Sequence, residues 1–370
     1  MPMKEKRKLL WVDRDTELYS GNYIGMFDLT KGIIMLGVIL LHCCNDYLDV
    51  LTFAGGETLA VRLLLSPLAI GRYGAVPMLF MICGYGIRRQ PPVKSIKNQL
   101  KLFAIPYFCV ILAVLGCELV KWCIAGGSLP LRLFQRGLPF LLGLHPGEHS
   151  MRGSLEQIGP VWFFFTYTFA SIYLNWVLQE KQVWVQALIL AAGTAAALIL
   201  TGIALPFCLQ QIAICAGFMF VGMLLKRGKV LQQKLPVPAL ILVFILCAFG
   251  TEVGGWAEIG NNVYVLGGVD LVIAYLAGIV LLWLHQRLDV LQGVLADGLR
   301  WIGRHMMWLC CVHTVTCVVV PWDKMATYFQ ECPAVGLLLE IGISFFWAFG
   351  ACYLIEVGIK KLLVFRRKGK

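Results

Sequence analysis

Apolar stretches near bilayer-crossing length recur along this chain, at about residues 24–44, 73–87, 102–122, 160–178, 183–204, 207–225, 237–250, 263–284, 301–320 and 335–363. A helix needs roughly 20 apolar residues to cross about 30 Å of hydrocarbon, where the backbone must satisfy its own hydrogen bonds. The runs are continuous rather than alternating, which argues against a membrane β-barrel. The longest, 183–225, is about twice one crossing. Pro206 near its middle, with Gln210 and Gln211 just after, divides it into two helices joined by a tight turn. With 59% hydrophobic and only 14% charged residues, too little polar surface remains to coat a soluble globule of this size, and disorder fails for the same reason. The expected fold is an all-α polytopic membrane protein with about ten transmembrane helices.

Charge sets the expected orientation. Ten crossings put both termini on one side, and that side collects 23 of the 32 Lys and Arg residues, against seven on the other. The positive-inside rule then makes both termini cytoplasmic. The chain divides into a cytoplasmic N-terminal segment (1–23), one transmembrane domain (24–363) and a basic cytoplasmic tail (364–370). Lys4 to Lys8 is followed by polar Asp13-Arg14-Asp15 rather than an apolar core, so no cleavable signal peptide is expected. The basic residues lie on separate membrane-proximal loops, so membrane lipids are expected partners and nucleic acid is not. Two long external segments remain, 45–72 and 123–159. The first carries an amphipathic stretch, Glu57 to Ile70, suited to the outer interface; the second holds Gly, Pro and two histidines.

The 14 cysteines mostly sit inside apolar runs, as Cys83, Cys109, Cys215, Cys247 and Cys352 do. No CxxC or Cys/His spacing matches a zinc site, so they read as small buried side chains and no metal is expected. Cys43, Cys44, Cys123 and Cys332 lie nearest the outer ends and are the candidates for any disulfide.

Ionisable residues inside hydrocarbon are costly and mark candidate functional positions. The first run holds Asp28, Lys31 and His42, followed by Asn45 and Asp46. Lys31 and His42 are eleven residues apart, which places them on one helical stripe about 16.5 Å apart along the axis. Asp46, one turn beyond His42, can orient the imidazole if the helix continues. Spacing leaves a second reading open, in which Lys31 snorkels to lipid phosphate and His42 marks the interface. After the second run, Arg88-Arg89 serves either topology or phosphate binding. His313 lies well inside the ninth run; a lone histidine there serves packing or chemistry.

Five segments in order resemble the acyltransferase 3 family of integral membrane acyltransferases. Asp28-Leu-Thr-Lys31, then His42, is similar to its first-helix Asp-x-x-Arg-Gly with a histidine eleven after the arginine. Tyr73 to Gly86 resembles its Phe-Phe-x-x-Ser-Gly-Phe segment. Pro106-Tyr107 resembles the Pro-x-Tyr start of its third helix, Trp162-Phe163 the aromatic start of its fourth, and Gly303 to His313 its Gly-x-x-Ser-hydrophobic-Tyr-Leu-x-His segment. The resemblance covers roughly residues 24–360. It departs from the pattern in having Lys31 for arginine, which loses bidentate geometry, Cys83 for serine and His305 for serine.

The resemblance implies transfer of an acyl group, commonly acetyl, from cytoplasmic acyl-CoA to a hydroxyl of an extracytoplasmic or lipid-linked glycan, in a bacterial inner membrane. Lys31, Arg88 and Arg89 would hold the donor's phosphates. His42 would deprotonate the acceptor hydroxyl with Asp46 orienting it, or carry the acyl group transiently. Asp28, His313, Glu148 and His149 would face the substrate. Two competing classes are a transporter or flippase that uses the intramembrane charges and a membrane module that binds a ligand without chemistry. A transporter would show flux without an acyl donor.

Overall fold

The structure, a computed structural model, describes residues 27–45, 59–145, 155, 157–201, 203, 205–254, 257–288 and 290–368. Helix α1 spans Asp28–Asn45, α2 Leu59–Gly86 and α3 Pro92–Ala125. The chain then folds back through α4 (Leu129–Arg132), a π turn (Leu133–Gly137) and α5 (Leu138–Leu142). There follow α6 (Trp162–Val177), α7 (Val183–Ile199), α8 (Leu209–Arg227) and α9 (Val237–Glu252). A small antiparallel hairpin, β1 (Ala257–Glu258) with β2 (Val263–Tyr264), precedes α10 (Gly268–Leu288). The chain closes with α11 (Val294–Arg304), α12 (Met306–Val319), α13 (Trp322–Tyr328) and α14 (Pro333–Lys368). This is an all-α polytopic membrane protein.

A helix lies on each of the ten expected runs. Among the described residues, four helices cross a membrane by length and composition alone: Pro92–Ala125, Pro206–Arg227, Gly268–Leu288 and Pro333–Gly358, with α11 and α12 a fifth if taken as one bent span. Lipid is the natural cover for α3 and α14, which leave Phe108, Leu112, Phe346 and Leu354 exposed; an apolar surface of that extent has no place in water. The 43-residue run does break at Pro206, where Phe207 and Cys208 take left-handed backbone conformations at the start of α8.

Three expectations change. The ninth run does not form one straight helix: the chain bends by 75° at His305, between α11 and α12. Just before the bend, Gly303 packs directly on the Asp28 carbonyl of α1. The amphipathic stretch Glu57 to Ile70 is no separate interfacial element, because from Leu59 it forms the first part of α2. Of the disulfide candidates, Cys123 and Cys332 are free, exposed thiols.

Contacts between helix ends sort them into two sets. At one end Arg89 meets Gln179, Trp283 meets Gln233, and Trp301 meets Glu356. At the other Tyr73 meets Asp270, Asn262 meets Ala197, and Arg136 meets Val318. Successive helices thus alternate in direction, as a chain that repeatedly crosses a bilayer must. The first end carries the basic loops.

Two apolar clusters make the core, one around α2, α8 and α10 and the other around α1, α3, α6 and α12. Small residues set the closest approach between helices. A Cβ on Gly84 would lie 1.8 Å from the Met219 carbonyl oxygen, and one on Gly222 2.0 Å from that of Met81, so α2 and α8 touch through backbone. Near the second end, fully buried Asp270 accepts the Tyr73 hydroxyl at 2.8 Å and the Leu266 backbone N–H at 2.7 Å. Tyr73→Phe removes one of these partners from a buried carboxyl group. It is expected to cost about 1–3 kcal/mol, read as a lowered thermal unfolding midpoint of the detergent-solubilised protein.

Candidate active site

Helix α1 is unbroken from Asp28 to Asn45, so it carries Lys31 and His42 along one stripe toward opposite ends of the bundle. Lys31 Nζ lies 2.8 Å from Asp28 Oδ1, one turn earlier. The Asp28 side chain is almost wholly buried while Lys31 keeps some accessible surface. Asp28 therefore sits beneath Lys31 as its ionic partner. Partial neutralisation leaves the ammonium fixed in place rather than free to snorkel.

At the other end of α1, three of the six histidines converge. The His42 ring faces that of His313 on α12, with centroids 5.3 Å apart and planes inclined by 57°. His145, in the segment after α5, lies close enough to His42 to interact with it electrostatically, and its ring is 6.2 Å from that of Trp162. Burial, reinforced by His42, holds the His145 imidazole down to about 3, so it stays neutral at physiological pH. Its buried Nδ1 has no hydrogen-bond partner among the described residues. Cys317, one turn after His313, brings its Sγ to 3.4 Å from His313 Nε2. Three imidazoles and a thiol brought together form a group that can accept, hold and return a proton.

A line of side chains joins the two ends. Cys83 on α2 is close enough to Lys31 to feel its charge, and Tyr167 on α6 stands in the same relation to Cys83. The Tyr167 ring stacks with Phe163 at 6.4 Å; Phe163 meets Trp162 at 6.1 Å, and Trp162 leads to His145. Cys83, Tyr167 and His42 are surrounded by protein yet are only half-buried.

At the basic end, a cavity of about 410 Å³ is lined by Arg88, Arg89, Lys181, Lys226 and Arg227 among others, with Glu180 as its only carboxylate. Glu180 Oε1 accepts the backbone N–H groups of Lys181 and Gln182, which ties it into its own turn. Arg89 is held against Gln179, donating from Nη2 to its carbonyl at 3.1 Å. Tyr85 links this cavity to the start of α1: its ring meets Phe27 at 5.2 Å, and Lys226 Nζ lies 5.5 Å from its centroid.

The structure thus brings His42 and His313 together, places Lys31 on Asp28 at the other end of the stripe, and sets Arg88 and Arg89 in one basic cavity. Asp46, Glu148 and His149 lie outside the described residues. Sequence reasoning singled out neither His145 nor Cys317 as a site residue. The scarcity of histidine, six in the whole chain, was the one signal for the former; for the latter, the i to i+4 spacing from His313 was available but unremarkable among so many cysteines.

No curated protein and no solved structure matches the chain. A family model described as an acyltransferase domain matches residues 24–357, which takes in both histidines, the Lys31 stripe and the basic cavity. An enzyme that transfers acyl groups within the membrane accounts for that coverage: the chain belongs to the acyltransferase 3 family.

Proposed function

We propose that this acyltransferase moves an acyl group, acetyl in the simplest case, from cytoplasmic acyl-CoA to a hydroxyl of an extracytoplasmic or lipid-linked glycan. What supports the reading is the basic cavity at one end of the bundle and the facing pair His42 and His313 at the other, with Lys31 and His42 carried on the one unbroken helix α1. A polyanionic donor fits a cavity with five cations and one carboxylate already engaged by its own backbone. In this reading the thioester-bearing arm reaches from that cavity toward the far end of the bundle.

In this reading His42 takes the proton of the acceptor hydroxyl as its oxygen attacks the thioester carbonyl. The carbon–sulfur bond breaks, and the departing coenzyme A thiolate receives the proton from His42. His313 packs against the His42 ring and holds it in position; Asp46 would orient it from beyond the described end of α1, and Glu148 and His149 would line the acceptor mouth. The neutral His145, with its unpartnered buried Nδ1, supplies a donor or acceptor at the same place without adding charge.

The test is transfer of labelled acetyl from acetyl-CoA in sealed vesicles carrying the purified protein and a glycan mixture on the opposite face. Incorporation into glycan that depends on the protein supports the proposal. Movement of solute with no consumption of acetyl-CoA would instead identify a transporter. Replacing Arg88 and Arg89 together by Ala is expected to raise the KM for acetyl-CoA by roughly 10-fold or more, since a charge-assisted contact contributes about 1.5–3 kcal/mol, with kcat little changed. An unchanged KM would remove the cavity from the donor site.

A further inference from the structure

The fold-back after α3 builds a second charged cavity, on the end of the bundle opposite Arg88 and Arg89. Gly126 and Gly127, with φ of 70° and 89°, turn the chain, and the Trp122 indole N–H donates to the Gly127 carbonyl at 3.1 Å to fix the turn. Ser128 caps the start of α4, accepting the Leu131 N–H. The return path lays Arg132, just before the π turn, and Arg136, within it, over the last turns of α3. A π turn amid helix is a frequent device for aiming side chains at a site.

The result is a cavity of about 330 Å³ whose charged lining is Glu118, Lys121, Arg132 and Arg136. Glu118 is buried, and all three cations gather on it: Lys121 Nζ at 3.2 Å, Arg136 Nε at 3.5 Å and Arg132 Nη1 at 3.7 Å. Among the described lining residues, this one carboxylate faces three cations. Arg136 also donates to the Val318 carbonyl of α12, one residue beyond Cys317. The cavity is therefore braced to the helix that bears His313, about 7.5 Å further down its axis.

We infer that this cavity binds an anionic group, carboxylate or phosphate, of the acceptor, so that the acceptor is an acidic or phosphorylated glycan rather than a neutral one. The inference deepens the proposed reaction by giving the acceptor's chemical class. Two guanidinium groups and an ammonium around one space suit a planar carboxylate or a phosphate. The volume lies at the lower end of the range for ligand pockets, and the bond from Arg136 to Val318 sets the bound anion against the helix that carries His313. A phospholipid headgroup presents the same chemistry, and the test separates the two.

The experiment measures equilibrium binding to the full-length protein in phosphatidylcholine nanodiscs, using radiolabelled glucuronate, glucose 6-phosphate and glucose without acyl-CoA. Binding of the two anionic sugars but not of glucose is expected, weakened about 10-fold or more by Arg132→Gln and again by Lys121→Gln. Both side chains are about one-third exposed, so these variants should fold; size-exclusion profiles check this, and Arg132→Lys should restore part of the binding. Equal binding of glucose and glucuronate, or no loss in either variant, overturns the inference. So does a result in which phosphatidylglycerol, added to the nanodisc, binds in an Arg132-dependent way while neither anionic sugar does, which would make this a lipid site. Because no acyl donor is present, a negative result here leaves the acyl-transfer reading standing, and failure of acyl transfer leaves this binding result interpretable.

Discussion

His42→Ala lowers kcat for acyl transfer by roughly 10²–10⁴-fold, the usual contribution of a positioned general base, while leaving the KM for acetyl-CoA within about twofold. The split follows from where the groups lie. The cations assigned to the donor line the cavity at the basic end, whereas His42 meets His313 at the opposite end of α1. Removing an imidazole there takes away the proton acceptor without touching donor binding. His42 also loses little packing, being half-buried, so the unfolding midpoint should move by only a few degrees, and a large drop would assign it a structural role instead. His313→Ala is expected to fall between: the ring of His42 loses its neighbour and Cys317 its partner, so kcat decreases by about 10-fold with the same unchanged KM. If His42→Ala turns over at the wild-type rate, the assigned base is wrong whatever becomes of the family assignment.

The sequence carried the crossings well, because bilayer thickness fixes their length and Pro206 marks a break by local chemistry. It also carried Lys31 and His42, since a helical stripe is a matter of period alone. What it did not carry came from contacts between distant segments. The bend at His305 and the close approach of Gly303 to the Asp28 carbonyl leave no sign in the apolar pattern of 301–320. The β1–β2 hairpin forms in a Gly- and Asn-rich link in which Asn262 takes φ of 54° and reaches the Ala197 carbonyl. The meeting of His42, His145 and His313 is of the same kind. Each is legible as a polar residue out of place, but the loop histidine had no period to tie it to the two helices. Lys31 shows the converse: its charge was legible, and its pairing with Asp28 follows from i, i+3 spacing, yet the nearness of Cys83, on another helix, came only from the fold.

The position of α1 itself rests on a pair of glycines, and replacing either is expected to have a large effect on stability. A Cβ on Gly303 would lie 1.8 Å from the Asp28 carbonyl oxygen, and one on Gly32 2.0 Å from the Leu299 oxygen. Both obstacles are backbone, which cannot swing aside as a side chain tip can, so the helices must separate. Overpacking of this kind costs about 1–3 kcal/mol and sometimes more. Gly37 lies on the same helix with nothing within 4 Å of its would-be Cβ, and replacing it by Ala should gain up to about 1 kcal/mol from helix propensity. Gly303→Ala and Gly37→Ala are thus expected to shift the thermal unfolding midpoint in opposite directions, and Gly303→Val to yield little or no folded protein. The consequence reaches the chemistry, because α1 holds Lys31 at the end that would be pushed away and His42 at the end that would pivot. Gly303→Ala that remains folded should therefore lose kcat as well as stability, whereas Gly37→Ala keeps both. Equal midpoints for the two alanine variants would mean that α1 and α11 do not touch through backbone, and the placement of Lys31 would have to be redrawn.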